Sequence, residues 1–110
     1  MQSRGQRRLA RQLADAVAEA ALGRKPRVPE AGRTAWRWFV ALTETRGRDL
    51  SGPLPISFAE IEAYGRLTGT PFQPHHVALI RAVDTAWLKV VREPAAAPGI
   101  TPDIFDVVFR

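Results

Sequence analysis

Prolines and glycines cut this 110-residue chain into four stretches of helical length, and within those stretches the apolar residues recur at intervals of three and four. The first stretch runs from about Ser3 to Leu22 and stops at Gly23, with Leu9, Leu13, Val17 and Ala20 along one side. The second runs from Glu30 or Thr34 to Arg46. Its Trp36, Trp38, Phe39, Val40 and Leu42 spread over more than half the circumference, wider than a surface helix needs. It is therefore either central in a core or keeps aromatic surface for a partner. The third opens on Ser57-Phe58-Ala59-Glu60, a capping box with Ile56 and Ile61 at the staple positions. Its expected inward face is Phe58, Ile61, Tyr64 and Gly65, the glycine letting another helix come close. The fourth opens at Pro74, a favoured first-turn position, and reaches about Arg92.

This pattern predicts an all-α protein: a small bundle of three core helices, a flanking basic N-terminal helix and a short C-terminal helical appendage. The expected divisions are residues 1–27 (helix and linker), 28–93 (core) and 94–110 (linker and apolar tail). The stretch from Arg46 to Pro55, broken by Gly52, Pro53 and Pro55, is expected to be a loop. The tail carries Ile104, Phe105, Val107, Val108 and Phe109, too apolar to stand in water. It is expected to pack on the core or to dock on another chain.

Charge is uneven. Residues 1–27 hold seven basic and two acidic side chains, which is the whole net charge of +5; residues 28–110 hold nine of each sign. The chain is a neutral domain with a basic leader, so a pI near 11.0 is not a nucleic-acid signature of the whole. Arg4, Arg7, Arg8 and Arg11 form a stripe that could meet phosphates, but no aromatics are interleaved with them. No apolar run approaches the length of a membrane span, and no apolar segment follows the basic start. The expected compartment is the cytoplasm.

Catalytic and metal-binding patterns are sparse. The absence of cysteine excludes a disulfide framework, a cysteine nucleophile and a thiolate metal site. His75 and His76 are neighbours, about 100° apart on a helix, and read as a polar pair in a first turn rather than as metal ligands. Gly65-Arg66-Leu67-Thr68-Gly69 lacks the spacing and the lysine of a phosphate loop and reads as a helix end. No nucleophile–base pair is visible, so no catalytic residue, metal or cofactor is expected. A helix-turn-helix made of the third and fourth segments is disfavoured, because Pro71 and Pro74 lengthen the turn and the last helix is largely apolar. Asp84 falls inside the apolar arc of that helix. A carboxylate there must be bonded, so it is expected to be a buried structural group, capping another helix or paired with an arginine such as Arg37.

One further pattern lies in the order of motifs. Trp36-Arg37-Trp38-Phe39-Val40-Ala41-Leu42 is followed by Arg46-Gly47-Arg48. Then come the run from Pro55 to Gly69 and finally Leu79-Ile80-Arg81-Ala82-Val83-Asp84-Thr85-Ala86-Trp87-Leu88. In this order, residues 36–91 resemble the small tail assembly chaperones of long-tailed phages and prophages. The resemblance implies a small α-helical, non-enzymatic binding protein. Such proteins are thought to coat the tape-measure protein, keep it soluble and help recruit tail-tube subunits. The implied partners are tape-measure or tail-tube protein in the bacterial cytoplasm, with a homo-oligomer possible. From excess apolar surface, the interface candidates are Arg37, Trp38, Phe105 and Phe109. Two other readings stand beside this one. A nucleic-acid-binding regulator would use the arginine stripe, and removing residues 1–27 would abolish its binding while sparing a chaperone's. A structural tail or connector protein would remain in the virion.

Overall fold

The computed structural model describes residues 4–92. Four helices make up most of it: α1 (Arg4–Ala21), α2 (Arg33–Glu44, preceded by a 3-10 turn at Glu30–Gly32), α3 (Phe58–Thr68) and α4 (Pro74–Val91). The expected all-α architecture is observed. The tail, with Phe105 and Phe109, lies outside the described residues.

The helix expected to flank the core is inside it. Leu13, Ala16, Val17, Ala20 and Ala21 of α1 are buried, and the most extensive helix pairing in the protein is α1 against α4. Alanines explain this, since small side chains let two helices approach closely and still fill the space between them. The arginines remain outside on the other face. Deleting residues 1–27 would therefore remove a wall of the core, and it cannot serve as a test of the arginines alone. α1 ends in a Schellman motif. Gly23 (φ 79°) takes the left-handed position, its N–H donates to the Ala20 carbonyl at 3.0 Å, and the Arg24 N–H donates to the Glu19 carbonyl at 2.9 Å.

The wide apolar arc of α2 has a simple cause. Ala35, Phe39 and Leu42 are buried at its centre, while Trp36, Trp38, Val40 and Ala41 are half-buried on the two flanks. Phe39 meets Trp87 of α4 edge to face, with ring centroids 6.3 Å apart.

α3 begins as its sequence requires. The Glu60 N–H donates to Ser57 Oγ and the Ser57 N–H donates to Glu60 Oε1, each at 3.1 Å. Ile56 and Ile61, the staple pair, are both buried. Phe58 departs from expectation, being 61 % exposed. It is the first residue of the helix, and helical side chains lean toward the N-terminus, so its ring projects past the end of the core. The Arg81 guanidinium covers it at 4.1 Å from the ring centroid. Gly65 is buried as expected, but what approaches it is the returning chain rather than a helix. A Cβ there would lie 2.9 Å from Phe72 Cδ2 and 3.0 Å from the Thr70 carbonyl oxygen.

Between α2 and α3 the chain makes a hairpin where an irregular loop was expected. β1 (Arg48–Asp49) pairs antiparallel with β2 (Gly52–Pro53). Asp49 closes the turn by accepting the Ser51 N–H at 2.8 Å, and Leu50 stands fully exposed at the tip.

A buried polar group fastens this connection to α4. Arg46 Nη2 donates to Asp84 Oδ1 at 2.6 Å and to Thr43 Oγ1 at 2.9 Å, and Nη1 donates to the Leu54 carbonyl at 3.1 Å. Asp84 Oδ2 accepts the Ile56 N–H at 2.9 Å. The guanidinium also lies 4.2 Å from the Trp87 ring centroid. Asp84 is thus buried and bonded, and the arginine paired with it is Arg46 rather than Arg37. Arg37 is exposed on another face of α2. Burial pulls the Arg46 guanidinium below its ordinary value, and the charge and hydrogen bond of Asp84 oppose that shift.

Breaking a buried pair leaves one charge without its counter-ion, which typically costs about 3–5 kcal/mol. Asp84→Asn should therefore remove a large part of a stability of roughly 5–15 kcal/mol. Urea unfolding followed by far-ultraviolet circular dichroism checks this; a loss under about 1 kcal/mol would show that the pair is not a structural fastening.

Candidate protein interface

The helix packing leaves a cleft at the end of the bundle where α4 starts. Its volume is about 340 Å³. Leu9 of α1, Ala35 and Trp38 of α2, and His75, His76 and Leu79 of α4 line it, so three helices contribute. The spacing is helical on each: Ala35 and Trp38 are three apart, and His75 and Leu79 four apart, which puts each pair on one face.

Trp38 is the largest side chain in this wall and is half-buried. Its ring meets Phe72 at 4.9 Å and His76 at 5.0 Å between centroids, both edge to face. Phe72 in turn stacks on Tyr64 at 6.0 Å. The aromatic group therefore continues from the cleft, where Trp38 and His76 lie, through Phe72 to Tyr64 of α3.

His76 is held by the backbone. Its Nδ1 accepts the Gln73 N–H at 2.9 Å, capping the first turn of α4. With Nδ1 accepting, the proton of the neutral ring sits on Nε2. Desolvation, with the nearby His75 adding to it, holds the His76 pKa below the usual histidine value. The His76 ring is therefore neutral at neutral pH, and the cleft sets the apolar side chains of Leu9, Ala35, Trp38 and Leu79 beside polar Gln6, Thr34 and His75. Among the described residues, no group of three or more His, Asp or Glu could hold a metal ion.

Trp38, expected from the sequence to carry surface beyond what the core needs, is half-buried and lines the cleft. Sequence reasoning did not find His75, His76, Leu9 or Leu79 as its neighbours. Adjacent histidines read as a polar first turn, and nothing local says that α1 crosses that end of α4. Arg37 is exposed and outside the cleft. Arg4, Arg7, Arg8 and Arg11 are exposed along α1, away from the Trp38 wall, and Arg7 and Arg11 edge a shallow strip with Ala10, Ala14 and Ala82.

Comparison with known families now bears on this geometry. The model of a family described as phage tail assembly chaperone matches residues 8–89. The chain belongs to that family. The match takes in most of α1, all of α2 and α3 and nearly all of α4. No curated protein and no solved structure matches the chain. A tail assembly chaperone works on phage structural proteins, and its useful chemistry is binding. No helix among the described residues is long and apolar enough to cross a membrane.

The state of His76 gives this chaperone a pH dependence. A histidine whose folded pKa lies below about 6.5 takes up its proton more readily unfolded than folded. Its contribution is complete above that value and is lost as the pH falls through the folded pKa. Protonation also removes the acceptor for the Gln73 N–H. Acidification from pH 7.5 to 5 should lower the melting temperature of the wild type more than that of His76→Gln, which keeps an acceptor but does not titrate. Parallel slopes in thermal melts of the two proteins would exclude His76 as the source.

Proposed function

We propose that this chaperone holds a segment of a tail protein in the Trp38 cleft during assembly, and that its preferred client is the tape-measure protein. Membership in the family supports a tail assembly role. The observation that carries the finer reading is the cleft itself: three helices set Leu9, Ala35 and Leu79 around a half-buried tryptophan, with polar Gln6, Thr34 and two histidines beside them. A groove between helices accepts the apolar face of an amphipathic client through side chains at helical spacing. A tryptophan packed against other rings is the kind of residue that dominates such binding energy. The tail-tube protein is the alternative client for the same cleft. The action is non-enzymatic, needs no cofactor and takes place in the host cytoplasm.

The exposed arginines of α1 favour a second reading, contact with nucleic acid. The two are separable. Co-expression with the tape-measure protein, followed by nuclease-treated pull-down, should recover the client with the wild type. Trp38→Ala, checked by circular dichroism, should weaken recovery by about tenfold or more, while Arg37→Ala, outside the cleft, changes it little. The charge reversal Arg4→Glu with Arg8→Glu and Arg11→Glu should leave client recovery intact. Full recovery with folded Trp38→Ala would sink the cleft reading. Nucleic acid recovered by the wild type without nuclease, lost on charge reversal and steeply with salt, and no tail protein in either sample, would establish the second reading.

A further inference from the structure

A second groove lies at the other end of α4. Pro55, Ile56 and Leu88 give it an apolar floor, and Arg81, Lys89 and Arg92 stand around it at exposed positions. Its volume is about 390 Å³. The one carboxylate in its lining, Asp84, is already committed to Arg46 and the Ile56 N–H. Arg92 donates to the Pro53 carbonyl at 2.9 Å, and Arg81 lies on the exposed ring of Phe58. Among the described residues, none of these three cations is in a salt bridge with a carboxylate.

The sequence that follows α4 matches this groove. Residues 93–110 carry Glu93, Asp103 and Asp106 against Arg110, a net charge opposite to that of the groove. Ile104, Phe105, Val107, Val108 and Phe109 supply apolar side chains for its floor. Reach is sufficient. From Arg81 to Arg92 the groove follows eleven residues of helix, about 17 Å. The eight residues 93–100 can span up to roughly 26–29 Å. The tether starts at the groove's own edge, so the effective concentration of the segment is of millimolar order, far above that of a second copy in dilute solution.

We propose that residues 101–110 of this same chain dock in the groove formed by Pro55, Ile56 and Leu88, with Asp103 and Asp106 facing Arg81, Lys89 and Arg92. The inference is independent of the client reading, since it concerns the opposite end of α4 and needs no tail protein.

The absence of cysteine from the 110 residues makes disulfide trapping in this chain a direct test. The pair Thr85→Cys and Val108→Cys joins the groove to the segment. The pair Thr34→Cys and Val108→Cys joins the segment to the Trp38 cleft instead. Thr85 and Thr34 are both exposed, so neither change disturbs the core. Oxidised at low micromolar concentration, the first pair should close within one chain severalfold more completely than the second, read on non-reducing gels and by intact mass. Adding Lys89→Glu and Arg92→Glu should lower that yield, and adding Asp103→Lys and Asp106→Lys to those should restore it. Equal closure by both pairs, preference for Thr34, bonds only between chains, or a yield blind to the charge reversals would each overturn the proposal. Loss of client binding in Trp38→Ala leaves these yields unchanged, so the two ideas fail separately.

Discussion

Everything between α2 and α3 depends on one ion pair, Arg46 with Asp84. Burying two charges is costly, and here the cost is offset because each is used several times. Arg46 reaches Asp84, the Thr43 hydroxyl and the Leu54 carbonyl; Asp84 also takes the Ile56 N–H. The result is a fixed distance between the end of α2, the chain entering α3 and the middle of α4. Ile56 is seated by the same contact, and Ile56 starts the staple that sets the entry of α3. A purely apolar contact could bury as much surface without fixing that register. The second groove inherits its floor from this arrangement, since Pro55 and Ile56 lie where the pair puts them.

Much of the fold was legible because its signals are local. The capping box at Ser57 and Glu60, Pro74 at the first turn of α4 and Gly23 after α1 each act over a few residues, and each helix ends where they say. Asp84 was legible as a problem, since a carboxylate in an apolar arc needs a partner. Its partner was not, because Arg46 is thirty-eight residues away and lies in a stretch that reads as loop. The same limit explains α1. Its alanine-rich stripe gives the helix but not the depth at which it sits, which depends on α4 having room for it. Phe58 shows the reverse error, where correct periodicity was carried one turn too far, past the end of the structure that could cover it. The Trp38 cleft was half legible: the tryptophan stands out in the sequence, whereas its neighbours arrive from three separate helices.

The aromatic residues divide by task. Phe39 and Trp87 close the centre of the core, and Trp38, Phe72 and Tyr64 form a second group at its edge. Gly65 makes this division possible. Because it has no side chain, the Thr70–Phe72 segment lies directly on α3 and brings the Phe72 ring under Trp38. A tryptophan packed against other rings has fewer orientations open to it, so less side-chain freedom would be lost in a further contact.

The pairing of α1 with α4 has a consequence for how the chain comes into being. The two helices that bury the most against each other stand farthest apart in sequence, so the core cannot close locally. On a ribosome adding roughly 5–20 residues per second, the stripe of Leu13, Val17 and Ala20 must wait several seconds for Ile80, Val83 and Trp87 to emerge. During that interval the nascent chaperone exposes an apolar helix of its own. A tail assembly chaperone thus passes, during its own synthesis, through a stage in which its apolar surface is open to association.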